Sequence, residues 1–298
     1  MSGVYQLHSR PGLDSPVLVV SLDGWIDAGL GAANATVRLL EEVDTETIAT
    51  FDTDSLLDHR ARRPTMHLLN GVNTGLSWPK LEMRAGTDSS GRDLLALVGS
   101  EPDHIWTAFA QSVTELSISL GASMLVGFGA YPAPTPHTRP TRLAATASTA
   151  ELSRSVGFVQ GTIDVPAGVQ AALELGFAEA GLPAIGLWAQ VPHYASAMPY
   201  PAASVALLAG FEQLTGIHVD PGHLEHEARA TRSRLDTAVA ASEEHQQLIR
   251  QLEQQADELS EQQANAEPTL GDLPVADLPT GDELAAELQR FLRDQRDD

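Results

Sequence analysis

The sequence contains no cysteine and a single lysine, Lys80, among its 298 residues. Without thiols there is no disulfide, no thiolate nucleophile and no thiolate metal site. Positive charge is scarce: 18 Lys and Arg stand against 40 Asp and Glu, a formal net charge of -22. Such an acidic surface repels phosphate backbones and anionic lipid, so neither nucleic acid nor a membrane surface is an expected partner. No apolar run approaches the roughly 20 residues that a membrane-spanning helix needs. The opening "MSGVYQLHSRPGLDSP" lacks the basic start and apolar stretch of a secretory signal, so a cytoplasmic location is expected.

What is present is an apolar fraction of 43%, enough for a substantial core in one large or two medium domains. Short apolar runs alternate with helical patterns. "PVLVVSL" (Pro16 to Leu22), "TETIATF", "SMLVGF" and "PAIGLWAQV" read as strands, and "PKLEMRAG" and "DLLALVG" as two more with "TDSSG" turning between them. Helices are expected over "GLGAANATVRLLEE", "PDHIWTAFAQSVTELSISLG", "AGVQAALELGFAEAG" and "AASVALLAGFEQLTG", the last three ending at Gly121, Gly181 and Gly216. Strands alternating with helices predict an α/β core, residues 1–219, with a mostly parallel sheet flanked by helices on both faces.

Beyond it the character changes. From Pro221 onward 18 acidic residues face 7 basic ones, half of the whole excess. Residues 220–265 predict a long helical or coiled-coil extension. Leu224, Ala228, Thr231, Leu235, Ala238, Ser242, His245, Ile249, Leu252, Ala256 and Leu259 keep a 4-3-4-3 spacing, weak at Ser242 and His245. As one rod that helix would span roughly 60 Å, and its seam argues for a homo-oligomer. Residues 266–281 read as an acidic Pro/Gly linker, and 282–298 as a short amphipathic helix and tail, with Leu284, Leu288, Phe291 and Leu292 on one side.

In a parallel sheet the loops leaving the carboxyl ends of strands share one edge, where ligands usually bind. Three such loops are rich in polar residues, Gly and Pro. "LDGWIDAGLGAAN" carries Asp23, Trp25 and Asp27. "GFGAYPAPTPHTRP" holds His137 and Arg139 between four prolines, which stiffen the chain. "WAQVPHYASAMPYP" carries His193 and Tyr194. Asp23, Asp27, His137, Arg139, His193 and Tyr194 are expected to converge on one crevice. Each has a plain reading beside the functional one. Asp27 either caps the helix from Ala28 or serves as a catalytic acid. Gly24, Gly29 and Gly31 either permit close packing or open an anion site. His137 and His193 either cap loops or act as ligand or general base. Arg60, Arg62 and Arg63 in "DHRARRPTM" form either a solvated loop or an anion-binding patch. The "GFG" at Gly127 lacks the third glycine of a dinucleotide fingerprint, and no Gly-x-Ser-x-Gly or His-x-x-x-His motif occurs. No metal and no cofactor are expected.

Taken in order, "DGWIDAGLGAA", "DHRARRPTM", "PTPHTRP" and "LWAQVPHYASAMPYPAA" resemble the actinobacterial branch of the proteasome assembly chaperone family, of the second-chaperone type. The resemblance covers about Val17 to Gly216, and the helical tail is also similar. It implies a phosphorylase/hydrolase-like α/β fold, self-association, and binding of a protein partner such as a proteasome component in place of chemistry. The alternative is a small-molecule hydrolase or phosphorylase-like enzyme working in the three-loop crevice. His137 or His193 would then be the general base, and Arg139 would hold an anion.

Overall fold

A computed structural model describes residues 4–157 and 162–265. In chain order the elements begin with β1 (Tyr5–Leu7), β2 (Val17–Asp23), a 3-10 turn at Ala28–Leu30, α1 (Gly31–Val43), β3 (Glu46–Phe51) and α2 (Thr53–Leu56). A hairpin of β4 (Thr65–Leu69) and β5 (Val72–Ser77) follows, then β6 (Leu81–Thr87), β7 (Asp93–Ser100), α3 (Trp106–Ser119) and β8 (Met124–Ala133). The chain continues through β9 (Leu143–Ala147), α4 (Ala150–Val156), α5 (Val169–Glu179), β10 (Ala184–Pro192), a second 3-10 turn at His193–Ala195 and α6 (Pro201–Thr215). It closes, within the described residues, with α7 (His223–Ala240) and α8 (Glu243–Asn265).

Eight strands form the main sheet, in the order β1-β3-β6-β7-β2-β8-β10-β9. Its centre is apolar on both faces, and the period of two decides which face each residue serves. Val17 and Val19 of β2 join the core under α1 and α6, whereas Leu18 and Val20 join the core under α3 and α5. The result is helices packed on both faces of one sheet.

Strand directions correct the expected fold. β2 runs parallel to β7 and β8, and β10 parallel to β8, but β1–β3, β3–β6, β6–β7 and β9–β10 are antiparallel. The sheet is therefore mixed, not the mostly parallel sheet of a phosphorylase/hydrolase-like fold. Its antiparallel half comes from two local returns. β6 and β7 form a hairpin whose turn is held by Asp88, which accepts from the amides of Ser90 and Arg92 at 2.9 and 2.8 Å. β3 lies antiparallel beside β6, the two being joined through α2 and the β4–β5 hairpin.

The single long rod is also corrected. The helix stops at Ala240 and restarts at Glu243. Ser242 Oγ accepts from the amide of His245 at 3.4 Å, and Glu243 and Glu244 occupy the first turn, where the helix dipole favours negative charge. The break falls where the heptad seam is weakest. Leu224, Thr231, Ile249, Leu252 and Ala256 are all buried within one chain, so these are discrete helices packed on their own subunit and not a coiled coil awaiting a partner. The linker 266–281 and the segment 282–298 lie outside the described residues.

Phe109 is fully buried and meets the ring of Phe51 edge-on at 5.2 Å. Phe109→Ala should cost about 3–5 kcal/mol in urea unfolding, whereas Val37→Ala, on an exposed site, should stay within about 0.5 kcal/mol. Equal losses for the two variants would contradict this assignment of the core.

Candidate functional site

Strand direction places the loops. β2, β3, β7, β8 and β10 run the same way, so the segments following all five emerge on one edge of the sheet. The three polar loops meet there. The amide of Gly29 donates to Ser196 O at 2.9 Å, and that of Tyr200 donates to Gly29 O at 2.8 Å, joining the first loop to the third. The second joins the third through His137 and Tyr194.

In the first loop Asp27 accepts from the amides of Ala32 and Ala33 at 2.8 and 3.0 Å, so its carboxylate ties down the first turn of α1. Burial nevertheless raises its pKa, against the pull of those amides. Burial also raises that of Asp23, whose carbonyl accepts from the amide of Glu101 at 2.7 Å. Glu101 in turn accepts from the amide of Val169 at 2.6 Å, at the start of α5. Trp25 packs over Gly168, where a Cβ would come within 2.9 Å of its ring, yet stays 43% exposed.

The proline-rich loop is a clasp for the two C-terminal helices. The side chain of His137 is 1% exposed, and both of its ring nitrogens are engaged. Nδ1 lies 2.7 Å from the Tyr194 hydroxyl and Nε2 lies 3.2 Å from Asp236 of α7. Thr138 donates to Glu253 of α8 at 2.5 Å, and its carbonyl accepts from Arg232 at 3.1 Å. Arg139 grips Asp257 with both arms of its fork, at 2.7 Å each, and reaches Glu253 at 3.0 Å. The carboxylate that a rigid guanidinium would recognise is thus supplied by the chain itself. His193 is exposed and touches the Tyr194 ring edge-on, centroids 5.2 Å apart.

The other half of the edge carries a feature that the sequence reading missed. Arg62 pairs with Asp103, which also accepts from the amide of Asp58 at 2.8 Å. Its guanidinium lies over Gly24, where a Cβ would sit 2.4 Å from Nη2, and the Gly24 φ of 128° is itself one that favours glycine. This pin fixes the base of the β4–β5 hairpin, and the ring of Trp78 against His59, 4.9 Å apart, closes the other side. Beyond that base the hairpin stands free as an arm. Met66, Leu68, Leu69, Val72, Leu76 and Trp78 are each between 43% and 66% exposed. Arg60 and Arg63 beside them are exposed, with no carboxylate partner among the described residues. The signal was legible: Asn70-Gly71 between apolar runs is a strong hairpin signature, and both residues take positive φ, 50° and 84°.

At this edge the His137 ring and the Arg139 guanidinium are already bonded within the chain. Two clefts of about 640 and 330 Å³ lie elsewhere, the larger lined by residues such as Ser148, Leu152, Leu182 and Gln213, and neither touches a candidate side chain. Among the described residues no group of three His, Cys, Asp or Glu could hold a metal ion, and no helix is long and apolar enough to cross a membrane. His137, enclosed and doubly bonded, presents no free nitrogen as a base.

The family model described as "PAC2 family" matches residues 21–239, nearly the whole edge-bearing domain. The chain belongs to the PAC2 family. This is the proteasome-assembly-chaperone family that the ordered motifs resemble. Among solved structures, a Mycobacterium tuberculosis protein of unknown function is 34% identical, with a TM-score of 0.80 over 88% of this chain and 93% of that one. A Corynebacterium glutamicum protein of unknown function is 31% identical, with a TM-score of 0.80 over 87% and 98%. A Mycobacterium tuberculosis proteasome-assembly chaperone homologue is 29% identical, with a TM-score of 0.73 over 78% and 99%. No curated protein matches the chain.

Burial holds the pKa of His137 below the ordinary histidine value of 6.5, although Asp236 pulls it up. A folded pKa below the unfolded one gives stability that is whole above about pH 6.5 and lost as the pH falls through the folded value. His137→Gln should therefore flatten the fall in melting temperature between about pH 7 and 5 relative to the parent. Parallel profiles for parent and variant would show that His137 does not carry that slope.

Proposed function

We propose that this protein is a docking module of proteasome-assembly-chaperone type, taking a proteasome subunit as its partner and performing no chemistry on it. The observation that carries this reading is the β4–β5 arm. A two-stranded hairpin is marginal on its own in water, and this one holds six large apolar side chains in solvent. Exposed apolar surface concentrated on one projecting element is the usual mark of a protein interaction site. The arm's base is rigid through Arg62, Asp103 and Trp78, so little order is lost when its tip engages. The M. tuberculosis homologue names the class of partner, and the apolar tip supplies the chemistry of contact. Self-association, which the family resemblance implies, no longer has the heptad seam as its support, because Leu224, Ile249 and Leu252 are buried within one chain.

Leu69→Ser combined with Val72→Ser removes the arm's tip while leaving the core untouched. Binding to immobilised proteasome subunits should weaken at least roughly tenfold, with melting unchanged within about 0.5 kcal/mol, as for surface substitutions. Equal binding by the parent and the double variant would remove the arm from the interface.

A further inference from the structure

Of the two helices at the clasp, α8 is the less embedded. The apolar cores take in Leu224 of α7 and, at their rim, Leu235, but no residue of α8 among those described. Between Glu243 and Glu261 only Ile249, Leu252 and Ala256 are buried, whereas Leu248 and Leu259 face solvent. Gln246 donates to Ala240 O at 3.1 Å, beside the break between the helices. Among the described residues, every other side-chain hydrogen bond from α8 to the rest of the protein goes to Thr138 or Arg139. Ala241 and Ser242 alone separate α8 from α7. α7 is tied down independently, by Leu224 in the core, Asp236 on His137 and Arg232 on Thr138 O.

Charge makes the hold on α8 a conditional one. Residues 243–265 carry six acidic side chains and one basic, Arg250, on a protein of net charge -22. Most of the surface therefore repels this helix, and Arg139 supplies the opposite charge that keeps it. The Arg139 side chain stays 37% exposed under the helix and that of Asp257 53%, so water and salt reach the pair. Ion pairs so exposed contribute little and weaken as salt rises. The held face has the layout of a recognition helix. Ile249, Leu252 and Ala256 stand at i, i+3 and i+7, and Glu253 and Asp257, at i+4 and i+8, set two carboxylates beside them. In the closed state this face accepts a guanidinium next to its three buried side chains. A partner of the same make-up is basic, and so is drawn to an acidic protein.

We infer that α8 is a latched recognition helix. Arg139 holds it closed; when the ion pairs open, it turns about Ala241 and Ser242 and offers its Ile249–Leu252–Ala256 face to an apolar, basic groove on a partner protein. The β4–β5 arm plays no part in this. In the full-length protein, raising NaCl from about 0.05 to about 0.5 M should speed hydrogen exchange of the Ile249 to Glu261 amides at least roughly fivefold. Arg139→Gln should give the same speeding at low salt and abolish the salt response, with α6 and α7 amides unchanged. A labelled synthetic helix, with leucines on one face and arginines flanking them, is the probe for the released face. It should bind Arg139→Gln at least about tenfold tighter than the parent. Adding Ile249→Ser and Leu252→Ser should remove that gain, whereas adding Leu248→Ser and Leu259→Ser, at exposed positions, should keep it. If α8 exchanges together with α7 in both parent and Arg139→Gln, the two helices are one rigid unit and the latch is overturned. Faster α8 exchange without tighter peptide binding, or a gain that survives the loss of Ile249 and Leu252, would overturn the recognition face.

Discussion

The parallel pairing of β2 with β7 on one side and β8 on the other orients everything else in the molecule. Leu18, Val19 and Val20 are fully buried there, so β2 cannot slip by one residue without turning its two core faces inside out. With that register set, the loops after β2, β7 and β8 must emerge together. β10 extends the edge on one side and β3 on the other, although the sheet as a whole is mixed.

The edge so formed has two halves with opposite fates. On the β8–β10 side the polar groups are satisfied internally: His137 by Tyr194 and Asp236, Arg139 by Glu253 and Asp257. A stiff proline-rich loop suits this role, because a clasp that is already ordered loses little freedom when α7 and α8 close on it. On the β2–β7 side one ion pair fixes the base of the arm and leaves its tip in water. Scarce positive charge is placed accordingly. Arg139 and Arg232 hold the acidic helices, Arg62 pins the arm, and Arg60 and Arg63 stand exposed at its base with no carboxylate partner among the described residues.

Much of the local structure was legible because it is written in short-range pattern. The apolar run from Pro16 to Leu22 became β2, the segments around "TDSSG" became the β6–β7 hairpin, and Gly216 closes α6 in the left-handed conformation expected of it. The helix break at Ser242 was visible as a weak point in the seam and was read through. The Asn70-Gly71 turn was equally visible and passed over, so the arm was missed. The ordered loop motifs carried enough specificity to place the chain in its family.

Composition and periodicity by themselves determined an acidic, thiol-free α/β chain with the six strands β2, β3, β6, β7, β8 and β10, the helices α1, α3, α5 and α6, and three polar loops. Strand direction was not among the things they could decide, since a buried strand reads the same whether its neighbour runs with it or against it. Nor could they assign partners across the chain: Asp236 is 99 residues from His137, and Asp257 is 118 from Arg139. Only tertiary packing brings such groups within hydrogen-bonding distance. It alone decided that the guarded histidine and arginine bind the protein's own helices while the apolar arm is left free.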